Sequence, residues 1–371
     1  MKKSYFLIMI VLGLCSCQKE ISREVMSPAE VDVYVAGLEE KGSGYVAKYW
    51  KNGQPIALTD GTTNAAATSI SVSGNDVYVC GSIDGNAVYW KNGNLVTLGD
   101  GNATSIAVSG NDVYVAGWVR VFSGAESIHA CYWKNGNIAL LPDNARSDPY
   151  WDNFPISSKG SSANSIFISG SDVYIAGGEE ISRVDLPDPN DPFGAPGYIS
   201  ATSAVYWKNG NEIYLIKGPY AGSLADEAYS IFVDGQDVYA CGALEARYWK
   251  NGTSVYLPGR TANSIYVSEG DVYVAGSQPD GQSFQTYFGI FYREVAKYWK
   301  NGNPVNLSDG TKNAYPTSIA VSGNDVYVAG YEEKTAGDRD FIARYWKNGN
   351  PVVLGDVSKY SEASSIFLVK K

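Results

Sequence analysis

The sequence predicts an all-β chain: a seven-bladed β-propeller with four antiparallel strands per blade, closed by three N-terminal strands plus one C-terminal strand. Three observations carry this. Four short phrases recur in fixed order, seven times each, and the tightest spacing, Trp50 to Trp90, is 40 residues, the size of a four-stranded blade. The composition is that of strands and turns, with 28 Tyr and 40 Gly but three Met. The pattern begins at its second phrase and ends at its first, so the chain ends together complete one unit.

Each phrase reads as a strand. Strand a is Ser-Ile-x-Val or a close variant, with its serine at Ser69, Ser105, Ser165, Ser230, Ser264, Ser318 and Ser365. Strand b is Asp-Val-Tyr, with its aspartate at Asp32, Asp76, Asp112, Asp172, Asp237, Asp271 and Asp325. Both alternate with period two. Strand c ends Tyr-Trp-Lys-Asn-Gly, with Trp50, Trp90, Trp133, Trp207, Trp249, Trp299 and Trp346. Its Asn-Gly is the preferred type I′ hairpin pair, because both residues tolerate positive φ. Strand d is a short apolar piece read as ending at Leu58, Leu98, Leu140, Leu215, Leu257, Leu307 and Leu354. The d-to-a link never falls below Pro258 to Asn263 in this reading, so it is the crossover between blades and strand a is innermost. Seven complete sets give 28 strands, and a circle needs no capping repeats.

Before the repeats, Lys2 and Lys3 precede an apolar run from Tyr5 to Leu14, too short to span a bilayer, so residues 1–17 read as a signal peptide. Leu14-Cys15-Ser16-Cys17 resembles a bacterial lipobox, which implies lipidation at Cys17. Residues 18–30 read as a flexible tether and residues 31–371 as the propeller. The expected location is the bacterial cell envelope, lipid-anchored at the outer membrane, with the membrane touched through the anchor only. Losing Lys2 and Lys3 takes the formal charge from −10 to −12, which disfavours nucleic acid. Cys80 and Cys241 replace the alanine of Val-Tyr-x-Ala-Gly and, with Cys131, read as small buried side chains rather than a disulfide framework.

Function is expected on one face. Because strands alternate in direction, the a–b and c–d turns share one rim, where lysines and aspartates cancel and hold turns. The b–c and d–a links share the other rim and carry the insertions, read as loops, at 141–164, 178–204, 216–229 and 277–296, with smaller ones at 118–130 and 331–343. Their aromatics, Tyr150, Trp151, Phe154, Tyr198, Tyr220, Phe284, Tyr287, Phe288 and Tyr292, are ligand-binding candidates suited to sugar faces or a protein partner. The first three insertions border residues 165–215, which places the site off-centre. The partner expected is a glycan or an envelope protein.

Acidic candidates are Asp148, Asp152, Glu179, Glu180, Asp226 and Glu227, which would serve as acid and base if the protein were a polysaccharide hydrolase or lyase. A non-catalytic scaffold of an envelope complex is the third reading. No catalytic residue is assigned and no metal or cofactor is expected, since phosphate-loop, His-Glu-x-x-His and Cys-x-x-Cys motifs are absent. Asp185, Asp188 and Asp191 match no established calcium loop. His129, the one histidine, rules out a site needing two imidazoles. The unit running from Ala-Thr-Ser-Ile through Asp-Val-Tyr-Val-Ala-Gly to Tyr-Trp-Lys-Asn-Gly is similar to the HAF-type extracellular repeat of bacteria. That resemblance implies a secreted or envelope β-propeller and assigns no functional residues.

Overall fold

The structure, a computed structural model, describes residues 31–122, 126–142, 156–184, 198–216, 226–242, 245–286 and 289–371. The signal peptide, Cys17, the tether and Asp185, Asp188 and Asp191 lie outside them. The described residues hold 27 strands and no helix. Sheets of four antiparallel strands follow the order a-b-c-d, giving the chain a propeller-like repeat. In the first, the C-terminal Ser361–Lys370 pairs with Val31–Lys41, followed by Gly44–Lys51 and Gln54–Ala57. Three more separate four-stranded sheets contain Trp249, Trp299 and Trp346.

The three repeats between them depart from the expected pattern. Asn94–Ser109 is one unbroken strand, serving as d of one repeat and a of the next, which removes one strand from the expected 28. Gly99 at φ 128° and Gly101 at φ 148° let the backbone bend without breaking its pairing. A single parallel bridge, Gly160 to Ile128, joins the next two repeats, so all three merge into one 11-stranded ladder.

The phrases now have physical causes. Each Lys-Asn-Gly turn has Asn near φ +50° and Gly near φ +80°, as type I′ requires. Its Asn reaches back to strand b: Asn92 Oδ1 accepts from Val77 N at 2.8 Å, and Nδ2 donates to Asp76 Oδ1 at 2.7 Å. Lys91 pairs with Asp76 at 3.0 Å and lies 5.2 Å over the Tyr78 ring. The same set recurs at Lys51, Lys134, Lys208, Lys250, Lys300 and Lys347. The lysines and aspartates of this rim therefore neutralise one another locally.

The serine of strand a ties neighbouring repeats together. Ile106 N donates to Ser69 Oγ at 3.3 Å, and the next links run Ile166 to Ser105, Ile231 to Ser165, Ile265 to Ser230, Ile319 to Ser264 and Ile366 to Ser318. The threonine before it adds a second stitch, as where Thr104 Oγ1 donates to Ala163 O at 2.7 Å. The glycine of Val-Tyr-x-Ala-Gly sits opposite a β-bulge. A Cβ on Gly177 would lie 1.9 Å from Ser162 O, so no other residue fits.

Apolar packing lies between repeats. Each of the seven tryptophans is at most 1% exposed and belongs to a cluster drawn from two consecutive repeats. One cluster joins Ala320 and Tyr327 of the repeat containing Trp346 to Val33, Trp50 and Ile366, so the last repeat packs on the sheet that pairs Ser361–Lys370 with Val31–Lys41. Truncating one such tryptophan costs about 3–5 kcal/mol. Leu140 is corrected here: it is 57% exposed, whereas Leu141 is 3% exposed and donates its N–H to Ala130 O. Every other leucine of the set stands eight residues after its tryptophan, and Leu141, not Leu140, keeps that spacing and hence the inward face.

Several segments read as loops are strands. Asp172–Val184 with Tyr198–Lys208, Asp271–Thr286 with Gly289–Lys300, and Asp112–Phe122 with Glu126–Lys134 are long hairpins. The b and c strands are already antiparallel neighbours, so an insertion between them prolongs their ladder. Cys80, Cys131 and Cys241 are buried free thiols, and burial pushes Cys80 and Cys131 up to about 12.

Candidate functional site

The b–c and d–a ends hold a cleft of about 510 Å³ bordered by strands from the repeats containing Trp133 and Trp207 and by Glu227. Glu180 and Glu227 line it together with the hydroxyl-bearing Ser127, Ser162 and Thr202. Its opening has a sequence cause. The position after the bulge glycine carries Leu38, Ser82, Trp118, Ala243, Ser277 or Tyr331 in the other six repeats, but Gly178 here. A Cβ at Gly178 would come within 2.6 Å of Glu227 Cγ and 2.8 Å of Thr202 Cγ2. Glycine thus leaves room for the Glu227 side chain, which Asn164 Nδ2 holds by donating to Oε2 at 3.1 Å. His129 Nε2 and Ser127 Oγ are 2.9 Å apart at the border.

The other two described acidic candidates do different work. Glu179 is fully buried and accepts from the Tyr214 hydroxyl, while Asp226 is 2% exposed and lies 3.6 Å from Arg247 Nη2. They join a set of buried rim carboxylates that fasten links. Glu39 accepts from Lys48 Nζ at 2.6 Å and from Asp356 N at 3.0 Å. Glu333 accepts from Asn313 N and Nδ2 and from Gly337 N. Glu332 meets Arg344 at 2.8 Å, and burial raises its carboxyl above the usual range. Sequence patterns do not separate buried anchor from cleft-facing acid, because the two stand side by side in the chain, Glu179 beside Glu180 and Asp226 beside Glu227.

Of the aromatic candidates, Tyr292 is 46% exposed on the Gly289–Lys300 strand, opposite Ser283. Tyr198 and Phe284 lie on the backbone of the two long hairpins. Tyr150, Trp151, Phe154, Tyr220, Tyr287 and Phe288, with Asp148 and Asp152, lie outside the described residues.

A half-buried aromatic cluster on the same rim escaped the sequence reading. Tyr315, Tyr331 and Phe341 pack with centroids 5.2–5.7 Å apart, Phe341 reaches Tyr360 at 6.0 Å, and Tyr360 reaches Tyr45 at 5.8 Å. Burial pushes the Tyr331 hydroxyl up to about 12. Burial and then the hydrogen bond to Glu362 raise that of Tyr360. The signal was present, since Tyr331 and Phe341 fall within the smaller 331–343 insertion, while Tyr45, Tyr315 and Tyr360 stand at or beside the rim ends of regular strands.

Comparison with known proteins adds modest context. A family model for the LVIVD repeat matches residues 100–120, one a–b hairpin of this chain. No curated protein matches the sequence. Among solved structures, that of YjhT is similar at TM-score 0.41 and 12% identity, covering 78% of this chain and 97% of that one. The plexin A4 extracellular region is similar at TM-score 0.32 and 9% identity, covering 91% of this chain and 47% of that one. A putative hydrolase from Bacteroides ovatus is similar at TM-score 0.24 and 10% identity, covering 71% and 85%. With TM-scores below 0.5, none of them informs the functional reading.

Proposed function

We propose that the chain is a lipid-anchored envelope protein whose seven repeats form a closed seven-bladed propeller, and that its b–c and d–a rim binds a glycan. Closure is supported by the pairing of Ser361–Lys370 with Val31–Lys41 and by apolar clusters linking each repeat to the next, the last to the first included. The glycan reading rests on one observation above all. Glu180, Glu227 and four hydroxyl-bearing residues, Ser127, Ser161, Ser162 and Thr202, line one cleft on the rim that also carries the exposed Tyr292 and the aromatic cluster around Tyr331. Carboxylates accept hydrogen bonds from sugar hydroxyls, and aromatic rings pack on apolar sugar faces.

The test is a glycan array with the mature chain, followed by isotherms for the double variant Glu180→Gln and Glu227→Gln. Saturable glycan binding that the double variant weakens supports the reading. Binding that is absent across the array, or indifferent to both changes, removes it. Two acids at one cleft also favour glycoside hydrolysis as a second reading, for which reducing-end release from a polysaccharide panel must be lost in the same variant. Anchoring is tested by detergent partition of Cys17→Ala.

A further inference from the structure

We propose that a second rim cleft, on the repeat containing Trp299, binds the carboxylate of an acidic saccharide. The cleft has a volume of about 460 Å³ and is bordered by Gln278, Asp280, Arg293, Lys297, Asp309 and Thr311. Internal comparison among repeats shows what is missing from it. The residue before Tyr-Trp is a cation in four repeats, namely Lys48, Arg247, Lys297 and Arg344. Lys48 pairs with Glu39 at 2.6 Å, Arg344 with Glu332 at 2.8 Å, and Arg247 lies 3.6 Å from Asp226. The place of Glu39 and Glu332, two residues past the bulge glycine, is held in the Trp299 repeat by Gln278. Lys297 keeps its charge and donates instead to the neutral Asn306 Oδ1 at 2.6 Å.

Two further differences open and charge the space. In the Trp50 repeat the matching Asp60-Gly61-Thr62 turn is covered by Lys41, whose Cδ is where a Gly61 Cβ would come within 2.8 Å and whose Nζ donates to Asp60 O at 2.6 Å. The residue in that place is Asp280, which is shorter; a Cβ on Gly310 would meet Val295 and Asp280 at 3.4 and 3.9 Å. Arg293 also borders the cleft, and its guanidinium has no hydrogen-bond or ion-pair partner among the described residues. Of the two acids at the border, Asp309 spends its carboxylate on its own turn, accepting from Thr311 N at 2.9 Å and Thr311 Oγ1 at 2.6 Å. A ligand carboxylate would replace the one the other repeats carry, bridging Lys297 and the planar fork of Arg293. Gln278, Asn306 and Thr311 suit the hydroxyls of the sugar that bears it.

The inference extends the glycan reading to a separate position and does not depend on the Glu180 and Glu227 cleft. The test is calorimetric titration of the mature chain with sodium glucuronate, glucose and acetate. Saturable glucuronate binding is expected, with glucose and acetate each roughly tenfold weaker or more. Arg293→Gln should weaken glucuronate roughly tenfold or more. Gln278→Glu, which restores the carboxylate of the other repeats, should do the same while raising the melting temperature. Glu180→Gln should leave glucuronate binding unchanged, and its loss there would assign the ligand to the first cleft. Absence of saturable binding, parental affinity in both cleft variants, or acetate matching glucuronate would each overturn the proposal.

Discussion

Replacing Asn92 by alanine isolates the device that sets every c–d turn. The residue sits at φ 50°, where an alanine costs about 1 kcal/mol or slightly more. Its side chain makes two hydrogen bonds, from Val77 N at 2.8 Å and to Asp76 Oδ1 at 2.7 Å, each worth about 1 kcal/mol net. Asn92→Ala should therefore destabilise the fold by about 3 kcal/mol, and Asn92→Gly, which restores the backbone freedom alone, by about 2 kcal/mol. Guanidinium denaturation followed by tryptophan fluorescence measures both. The Asp76 carboxyl, held below the usual aspartate range by the Asn92 amide and then by Lys91, should titrate higher in either variant, which carboxyl-resolved NMR reads. Ala and Gly variants of equal stability, or both within about 0.5 kcal/mol of the parent, would refute the reasoning.

Three further outcomes follow from the same structure. The strand-b aspartates have lowered pKa values through hydrogen bonds from asparagine and lysine, as at Asp76 and Asp112. Their contribution is complete above the ordinary aspartate value of 3.8 and is lost as pH falls below it. The melting temperature should drop steeply from pH 4 towards pH 2 (about that window), and a flat profile there would contradict the device. Cys80, Cys131 and Cys241 are buried, so Ellman's reagent should label none of them in the folded chain and all three in denaturant; rapid native labelling of Cys80 would place it at the surface. Gly178→Val should force Glu227 off Asn164 and fill the first cleft, lowering stability by about 1–3 kcal/mol while abolishing any ligand that needs Glu227.

What was legible in the sequence was whatever a local rule compels. Asn-Gly admits few turns, Asp-Val-Tyr alternates cleanly, and the tryptophan phrase marks one fully buried side chain per repeat. The strand-d leucine was misplaced at Leu140 only where two leucines adjoin, and the eight-residue spacing already distinguished Leu141. The strand Asp271–Thr286 reads as a loop beyond its core because Ser-Gln-Pro-Asp-Gly-Gln-Ser lacks alternation, although the partner strand carries the ladder across a bulge at Pro279 to Ser283. At the site, Glu180 and Glu227 come together at one cleft, but Glu179 and Asp226 are buried anchors. Nothing local separates Glu179 from Glu180; only which way each side chain points on strand b does so. The cluster of Tyr45, Tyr315, Tyr331, Phe341 and Tyr360 is assembled from four separate strands and one link, a proximity that only the packed repeats create.

The proposed ring depends most on its seam, and removing residues 361–371 tests that seam directly. The chain ending at Tyr360 loses the strand paired with Val31–Lys41 and leaves Trp50 without Ile366 in its cluster. It should melt well below the parent and regain stability when a synthetic 361–371 peptide is added in trans, with saturable dependence on peptide concentration. A truncated chain that melts with the parent, or one indifferent to the peptide, would contradict closure through the terminal strands.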